Sequence, residues 1–190
     1  MSRVNGLVCR ASAGLCLAVV LSPAPARADV SSWLFLGPGV SHLEQRSQSD
    51  VERFSLQIDS GLGTPPADPV IVGGLFRIQT HFGEGTDLGL LVRTATRGFV
   101  NGGWGGGLDL GGYQRFWGEG SSGFVGSLVL GAPWGVTLSA GGSIGTNDAR
   151  TLSAVLGVDL ARLTVYRRTG DTWWKNPFPA YRPEEQPGRR

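Results

Sequence analysis

The chain has 190 residues, with 17 basic and 15 acidic side chains, 31 glycines, 11 prolines and two cysteines. Glycine is roughly twice as frequent as in ordinary globular domains. Leu, Ile, Val and Phe nevertheless supply 51 residues, which is enough for one core and argues against intrinsic disorder. The length suits one domain. No run of about 18 uncharged apolar residues occurs, which excludes a membrane-spanning helix.

Residues 1–28 have the pattern of a secretory signal peptide. Two arginines precede an apolar stretch from Ala11 to Leu21, and Ala26-Arg27-Ala28 forms a small-x-small cleavage site. Cleavage would remove three of the 17 basic residues and none of the 15 acidic ones, leaving 14 basic residues. The exported chain would therefore have no basic patch for nucleic acid.

Both cysteines, Cys9 and Cys16, would leave with the signal peptide. We therefore expect an exported chain without disulfides or thiolate ligands. With only two histidines, His42 and His81, and no EF-hand loop, the sequence predicts no dedicated metal site and no cofactor.

From about residue 51 to 167, apolar residues alternate with polar or very small ones, which is the period of β-strands. Glycine-rich turn clusters separate the alternating segments. We predict an all-β, up-and-down antiparallel barrel of eight strands, near residues 31–45, 51–60, 69–82, 86–97, 104–117, 122–131, 135–145 and 151–167.

The last segment is long, and its apolar parity changes, because Leu160 is even-numbered whereas Leu163 and Val165 are odd-numbered. A bulge or a turn at Ala161-Arg162 would explain the change. A turn would give nine segments, and eight is the preferred count.

The strand register is constrained by parity. From Phe54 to Leu160 the apolar face is nearly always the even-numbered one, so residue numbers of antiparallel partners must add to an even number. The pairs predicted in this way are Phe82 with Leu88, Leu110 with Leu130, Val136 with Leu160, and Arg93 with Asp109.

The non-apolar face consists mostly of Gly, Ser and Thr with a few charged residues, whereas water-facing surfaces usually carry many Lys and Glu. This composition favours a crowded barrel interior, with the apolar face turned to lipid. The predicted interior polar cluster, with a structural role, comprises Arg77, His81, Arg93, Asp109, Tyr113, Arg115 and Asp159. The alternative is a soluble periplasmic or secreted barrel that binds a small apolar ligand inside, as lipocalins do.

On these features, residues 30 to 168 resemble the small outer-membrane β-barrel proteins of Gram-negative bacteria. The resemblance implies a monomer in the outer membrane, in contact with its lipid and inserted by the barrel-assembly machinery. It also implies a non-enzymatic structural, adhesive or loop-binding role. Such proteins commonly end on a strand that closes with an aromatic residue, whereas this chain continues. We therefore divide it into a signal peptide (1–28), a barrel (29–168) and a proline-rich tail (169–190).

Two motifs have structural interpretations. Gly118–Gly123 matches G-x-G-x-x-G, but it joins two predicted strands and opens no helix, so we predict a hairpin loop. Gly141–Gly145 matches the G-x-S-x-G nucleophile elbow, but both histidines precede Ser143, whereas that hydrolase fold has its histidine afterwards. Ser143 is therefore predicted to be a strand residue.

His81 is the one candidate for acid–base chemistry. It shares a strand face with Arg77 and Gln79 and precedes Glu84 and Asp87 in the next loop. Some outer-membrane barrels are lipid-modifying enzymes that use a histidine with a serine or an acidic residue. A lipid A hydrolase or acyltransferase centred on His81 is thus a third hypothesis, beside a histidine held in an interior polar network.

Overall fold

The computed structural model describes residues 30–45, 48–66, 68–100 and 103–164. The predicted signal peptide and tail lie outside these residues. The strands form one closed barrel in which each pairs with its chain neighbour, and the predicted eight-stranded up-and-down fold is confirmed. The strands are β1 Ser31–Gln45, β2 Gln48–Gly63, β3 Val70–His81, β4 Gly85–Thr96, β5 Gly105–Arg115, β6 Ser121–Gly131, β7 Val136–Gly145 and β8 Arg150–Asp159.

The barrel closes where β1 pairs antiparallel with β8, from Phe35 opposite Asp159 to Glu44 opposite Arg150. We call the rim with Ser31 and Asp159 the terminal rim, and the opposite one the distal rim. Two short helices follow β4 and β8, namely α1 (Arg97–Val100) and α2 (Leu160–Thr164). Within the described segments, neither helix is long or apolar enough to cross a membrane, a result that concerns helices alone.

The outer surface of the barrel is apolar. Among the described residues, every large apolar side chain that is strongly exposed has an even number, from Val30 to Leu160, and Phe54, Leu90 and Phe124 are each more than 70% exposed. Among the described strand residues, the ionisable side chains on this even-numbered face are confined to His42, Glu44, Asp50, Glu52 and Arg150. These five lie close to the distal rim on β1, β2 and β8.

The interior is polar in the middle and apolar towards the terminal rim. The apolar part was not predicted, because its strand members lie on the odd-numbered face, next to even-numbered apolar residues as in Leu90-Leu91-Val92. α1 contributes two of its buried side chains, and Arg93 stacks over the Trp33 ring at 5.5 Å. The cluster consists of Trp33, Ile71, Leu75, Leu91, Ala95, Phe99, Val100 and Val129.

The parity of the register was predicted correctly, but three of the four specific pairs were wrong. Arg93 lies opposite Asp109, as expected. Leu88 faces Ile78 instead of Phe82, Leu110 faces Gly126 instead of Leu130, and Val136 faces Val158 instead of Leu160. Each predicted register differs from the observed one by an even number of residues, because a shift of two residues keeps every side chain on the same face of the strand. The turn, which the alternation does not reveal, decides among these registers.

The predicted extension of the last strand to residue 167 was wrong within the described residues. β8 ends at Asp159 and α2 follows, where a bulge or turn had been expected at Ala161-Arg162. The reason is a helix cap. The Asp159 Oδ1 atom accepts hydrogen bonds from the backbone N–H groups of Ala161 at 3.0 Å and Arg162 at 3.2 Å.

Candidate functional site

Two arginines and two aspartates form an ion-paired group across the middle of the interior, which we call the quartet: Asp59, Arg77, Arg93 and Asp109. Arg77 donates to both Asp59 oxygens at 2.8 and 2.9 Å and to Asp109 Oδ2 at 2.6 Å. Arg93 donates to both Asp109 oxygens at 2.7 and 2.8 Å and to Asp59 Oδ2 at 3.2 Å. Each residue is at most 4% exposed. Two cations and two anions make the group neutral, and guanidinium forks suit this bidentate geometry.

The register explains why the quartet fits inside the barrel. Asp59 lies opposite Arg77, and Arg93 lies opposite Asp109. On their other sides, the two arginines face glycines, because Arg77 is paired with Gly89 and Gly73 is paired with Arg93. A side chain at Gly73 would collide with the Leu62 carbonyl oxygen and the Trp33 ring, and one at Gly89 would lie 3.0 Å from Leu91 Cδ1, so glycine is required at these two positions by packing.

A second polar group lies nearer the distal rim. Asp87 accepts hydrogen bonds from Arg115 Nη2 at 2.9 Å and from Trp117 Nε1 at 2.8 Å. Arg115 also donates to Thr151 at 2.7 Å and lies 4.3 Å from the centre of a Trp117 ring. A side chain at Gly85 would collide with Trp117. The indole therefore covers this end of the interior, held by one hydrogen bond and one cation–π contact.

His81 belongs to this second group. Its Nε2 atom lies 3.5 Å from Asp87 Oδ2, and its side chain is 0% exposed. Among the described residues, neither ring nitrogen has a hydrogen-bond partner, and the opposing Ser55 hydroxyl also has none. The sequence placed His81 close to both Glu84 and Asp87, but Glu84 instead pairs with Arg53 at 2.8 Å.

Of the other two predicted interior residues, Tyr113 adjoins the second group, with its ring centre 5.8 Å from the Arg115 guanidinium carbon, and Asp159 belongs to neither group. The Tyr113 hydroxyl is 3.0 Å from that of Ser121. Asp159 lies at the terminal rim, where it caps α2 and accepts the Leu34 N–H at 3.3 Å. The neighbouring Arg162 donates to the carbonyl oxygens of Gly103 at 2.7 Å and Ala132 at 3.0 Å. Burial lowers the pKa of Arg162, while the Asp159 carboxylate opposes this change.

The structure thus places all seven predicted residues inside the barrel, but in three groups instead of one. Arg77, Arg93 and Asp109 share the quartet, His81, Tyr113 and Arg115 share the second group, and Asp159 lies at the terminal rim. Sequence reasoning missed Asp59, Trp117 and Arg162. The parity rule applied to β2 would have found Asp59, because its odd number puts it on the same face as Arg77.

A cavity of about 20 Å³ lies between the quartet and the second group, and its lining includes Gln79, Asp87, Tyr113, Ser143 and Thr151. A polar cavity of this size holds about one water molecule.

The five ionisable residues on the outer face form a separate cluster, which we call the rim cluster: His42, Glu44, Asp50, Glu52 and Arg150. His42 Nε2 lies 3.6 Å from Glu44 Oε1. A ring nitrogen of His42 and carboxylate oxygens of Glu44 and Asp50, the atom types that bind metal ions, lie within 4.8 Å of one another. The alternation pattern does not reveal this cluster, because its residues come from three strands. A residue count alone had predicted no metal site.

Both motifs have the structural roles predicted for them. Gly118 and Gly120 have φ values of 60° and 69° in the loop between β5 and β6, a conformation that favours glycine. Ser143 lies within β7 opposite Thr151. Neither motif contributes a phosphate cradle or a nucleophile elbow.

Fold and interior together define a closed, eight-stranded antiparallel barrel that is filled by ion pairs and apolar outside. Comparison with protein-family models, with curated proteins and with solved structures gives no match for this chain.

Proposed function

We propose that this chain is a non-enzymatic outer-membrane β-barrel with a structural, adhesive or surface-loop binding role. The observation that carries the proposal is the inverted polarity of the barrel. Its strongly exposed large apolar side chains all lie on the outer face, while charged residues such as Arg93 and Asp109 are at most 1% exposed inside. Lipid is the solvent in which such an outer face is favourable.

The height of the apolar face supports the same proposal. On β5 and its flanks, the exposed aromatic residues Trp104 (78%) and Phe116 (68%) mark the two ends of the outward-facing row. Twelve residues of strand at about 3.3 Å each, tilted by about 40°, span about 30 Å along the barrel axis. Membrane barrels have an apolar band of about 25 Å with aromatic residues at both edges.

A structural role is favoured over a pore because the interior is filled. The quartet crosses its middle, and the apolar cluster fills the end towards the terminal rim. Barrels of eight strands are just wide enough for side chains to fill. Any specific binding would then fall to the loops or to the outer surface.

The two alternatives receive less support from the geometry. A lipocalin-like barrel needs an apolar interior cavity, whereas the cavity here is about 20 Å³ and lined largely by polar residues. An enzyme centred on His81 needs substrate access, whereas the His81 side chain is 0% exposed and Trp117 packs beside it.

The test is to express the chain with its own residues 1–28 in a Gram-negative host and to analyse the outer-membrane fraction on gels with and without boiling. We expect faster migration of the unboiled sample in that fraction. A soluble periplasmic product with no heat-dependent shift would overturn the proposal.

A matched pair of variants sharpens this test. Leu110→Arg puts a charge in the middle of the outer face, which in a membrane barrel costs about 2–4 kcal/mol. Gln114→Arg puts the same charge on the same strand and face near the rim, where the cost is about 0–1 kcal/mol. We expect only Leu110→Arg to reduce the folded, membrane-bound fraction. Equal folding of both variants would mean that water covers this face.

A further inference from the structure

A groove runs over the outer face of the barrel from β5, across β6, β7, β8 and β1, to β2. Its open volume is about 960 Å³, and it continues into a second depression of about 670 Å³ that shares Leu110, Gly126, Gly142 and Leu152. The outer surface of a barrel is convex, so a depression of this size requires side chains that are locally missing.

The strand register explains why large side chains are missing there. Gly126 lies opposite Gly142, and Ala140 lies opposite Ala154, so four small residues adjoin on the outer face of β6, β7 and β8. Leucines stand on both sides of the gap, because Leu110 is paired with Gly126 and Leu152 is paired with Gly142. The result is an apolar floor of glycine and alanine between two leucine walls.

The groove ends at the rim cluster. His42 and Glu52 line the larger depression, and His42, Glu44 and Arg150 line the second one. Among the described residues, Arg150 and the Glu52 carboxylate form no ion pair, whereas Arg53 beside them is paired with Glu84. The outer face therefore keeps its charges at one end of its groove.

The charged residues that line the two depressions are mixed: Glu44, Glu52, Arg53 and Arg150, of which Arg53 is already paired with Glu84. A purely anionic ligand would meet the two carboxylates, and a neutral ligand would leave Arg150 without a partner. A head group that carries both a phosphate and an ammonium group complements both signs. From Arg150 to Ala154 the groove offers about 13 Å of strand length for an acyl chain.

We propose that the groove binds one molecule of a zwitterionic aminophospholipid. The phosphate pairs with Arg150, the ammonium group pairs with Glu44 or Glu52, and one acyl chain lies over Gly126, Ala140 and Gly142. This inference rests on the proposed membrane location and adds to it a defined lipid site on one side of the barrel.

The experiment extracts the full chain from outer membranes in mild detergent and counts bound lipids by native mass spectrometry. Phosphatidylethanolamine and phosphatidylglycerol with identical acyl chains are then titrated separately. Ala140→Leu fills the groove, and Arg150→Gln removes the phosphate partner. Gly74→Leu is the matched control for the first, because a side chain added at this outward position meets nothing within 4 Å. Arg97→Gln, at an exposed arginine in α1, is the control for the second.

We expect one phosphatidylethanolamine per barrel, bound at least about tenfold more weakly by each groove variant and unchanged in both controls. Equal retention of the two lipids, or equal retention by groove and control variants, would overturn the lipid site while the heat-modifiable barrel upholds the proposed function. A dimer that Ala140→Leu dissociates would assign the groove to a second copy of the chain instead. A chain recovered only as soluble protein would refute both proposals.

Discussion

Asp109 is the residue on which the buried quartet depends most. Its carboxylate accepts three hydrogen bonds from Arg77 and Arg93 at 2.6 to 2.8 Å, and a fourth from the Ser127 hydroxyl at 3.1 Å. Asp109→Asn keeps the shape of the side chain but turns a neutral group into one with two cations and a single anion, Asp59. Removing one partner of a buried ion pair typically costs about 3–5 kcal/mol, because the remaining charge is left uncompensated.

We therefore expect Asp109→Asn to lower the free energy of unfolding by about 3–5 kcal/mol, which is roughly a hundredfold to several thousandfold in the folding equilibrium. The measurement is urea-dependent unfolding in lipid vesicles, followed by tryptophan fluorescence and by the fraction of fast-migrating barrel on unboiled gels. Glu119→Gln removes the same charge from an exposed loop residue and serves as the control, with an expected change within about 0.5 kcal/mol.

A double-mutant cycle separates the lost ion pair from a general disturbance of packing. If the charge is the cause, Asp109→Asn costs less in a background of Arg93→Met, because that variant has already removed one of the two cations. We expect a coupling of more than about 1 kcal/mol between the two positions. Additive effects, or an Asp109→Asn variant as stable as Glu119→Gln, would refute the role assigned to the quartet.

Three further predictions concern other parts of the barrel. Trp117→Phe keeps a ring over the distal end but loses the hydrogen bond to the Asp87 carboxylate, so urea unfolding should show a loss of about 1.5–3 kcal/mol. Arg162→Ala leaves two partly buried carbonyl oxygens at the terminal rim without their donor and should cost about 1–3 kcal/mol in the same assay, and an unchanged midpoint would contradict the contacts seen there. A cysteine at Leu138 should react with a lipid-soluble maleimide in intact membranes, whereas a cysteine at Ser139 should stay unlabelled until the barrel is unfolded. The reverse labelling pattern would show that the even-numbered residues face the interior and the odd-numbered ones face outward.

The sequence was most informative where a single rule applied along the whole chain. Alternation predicted which face of each strand is buried, and the predicted pairing of Arg93 with Asp109 is confirmed. It did not predict that Phe82 lies beyond β3 in a tight turn, because turn geometry fixes the register and parity does not.

The candidate sites were harder to predict, since they join residues that are distant in the chain. Asp59 and Asp109 meet between the same two arginines although 50 residues separate them. The rim cluster brings together His42 and Arg150 from strands at opposite ends of the barrel sequence. Such neighbours become visible only when the order and stagger of all eight strands are known. The helix after β8 was missed for a local reason, because a capping aspartate at the end of a strand resembles any other inward-facing polar residue.

The seam between β1 and β8 has a consequence for how the chain reaches its folded state. Seven of the eight strand contacts join neighbours in sequence and can grow one hairpin at a time, but Phe35 must find Asp159 across more than a hundred residues. Until that contact forms, the curled sheet has two open edges, which are templates for pairing with other chains. Loop-closure entropy makes this step slow compared with hairpin formation. Pairing of β8 with β1 is therefore the step that closes the barrel. Destabilising substitutions on β1 or β8 should delay assembly more than equally destabilising substitutions on β4 or β5.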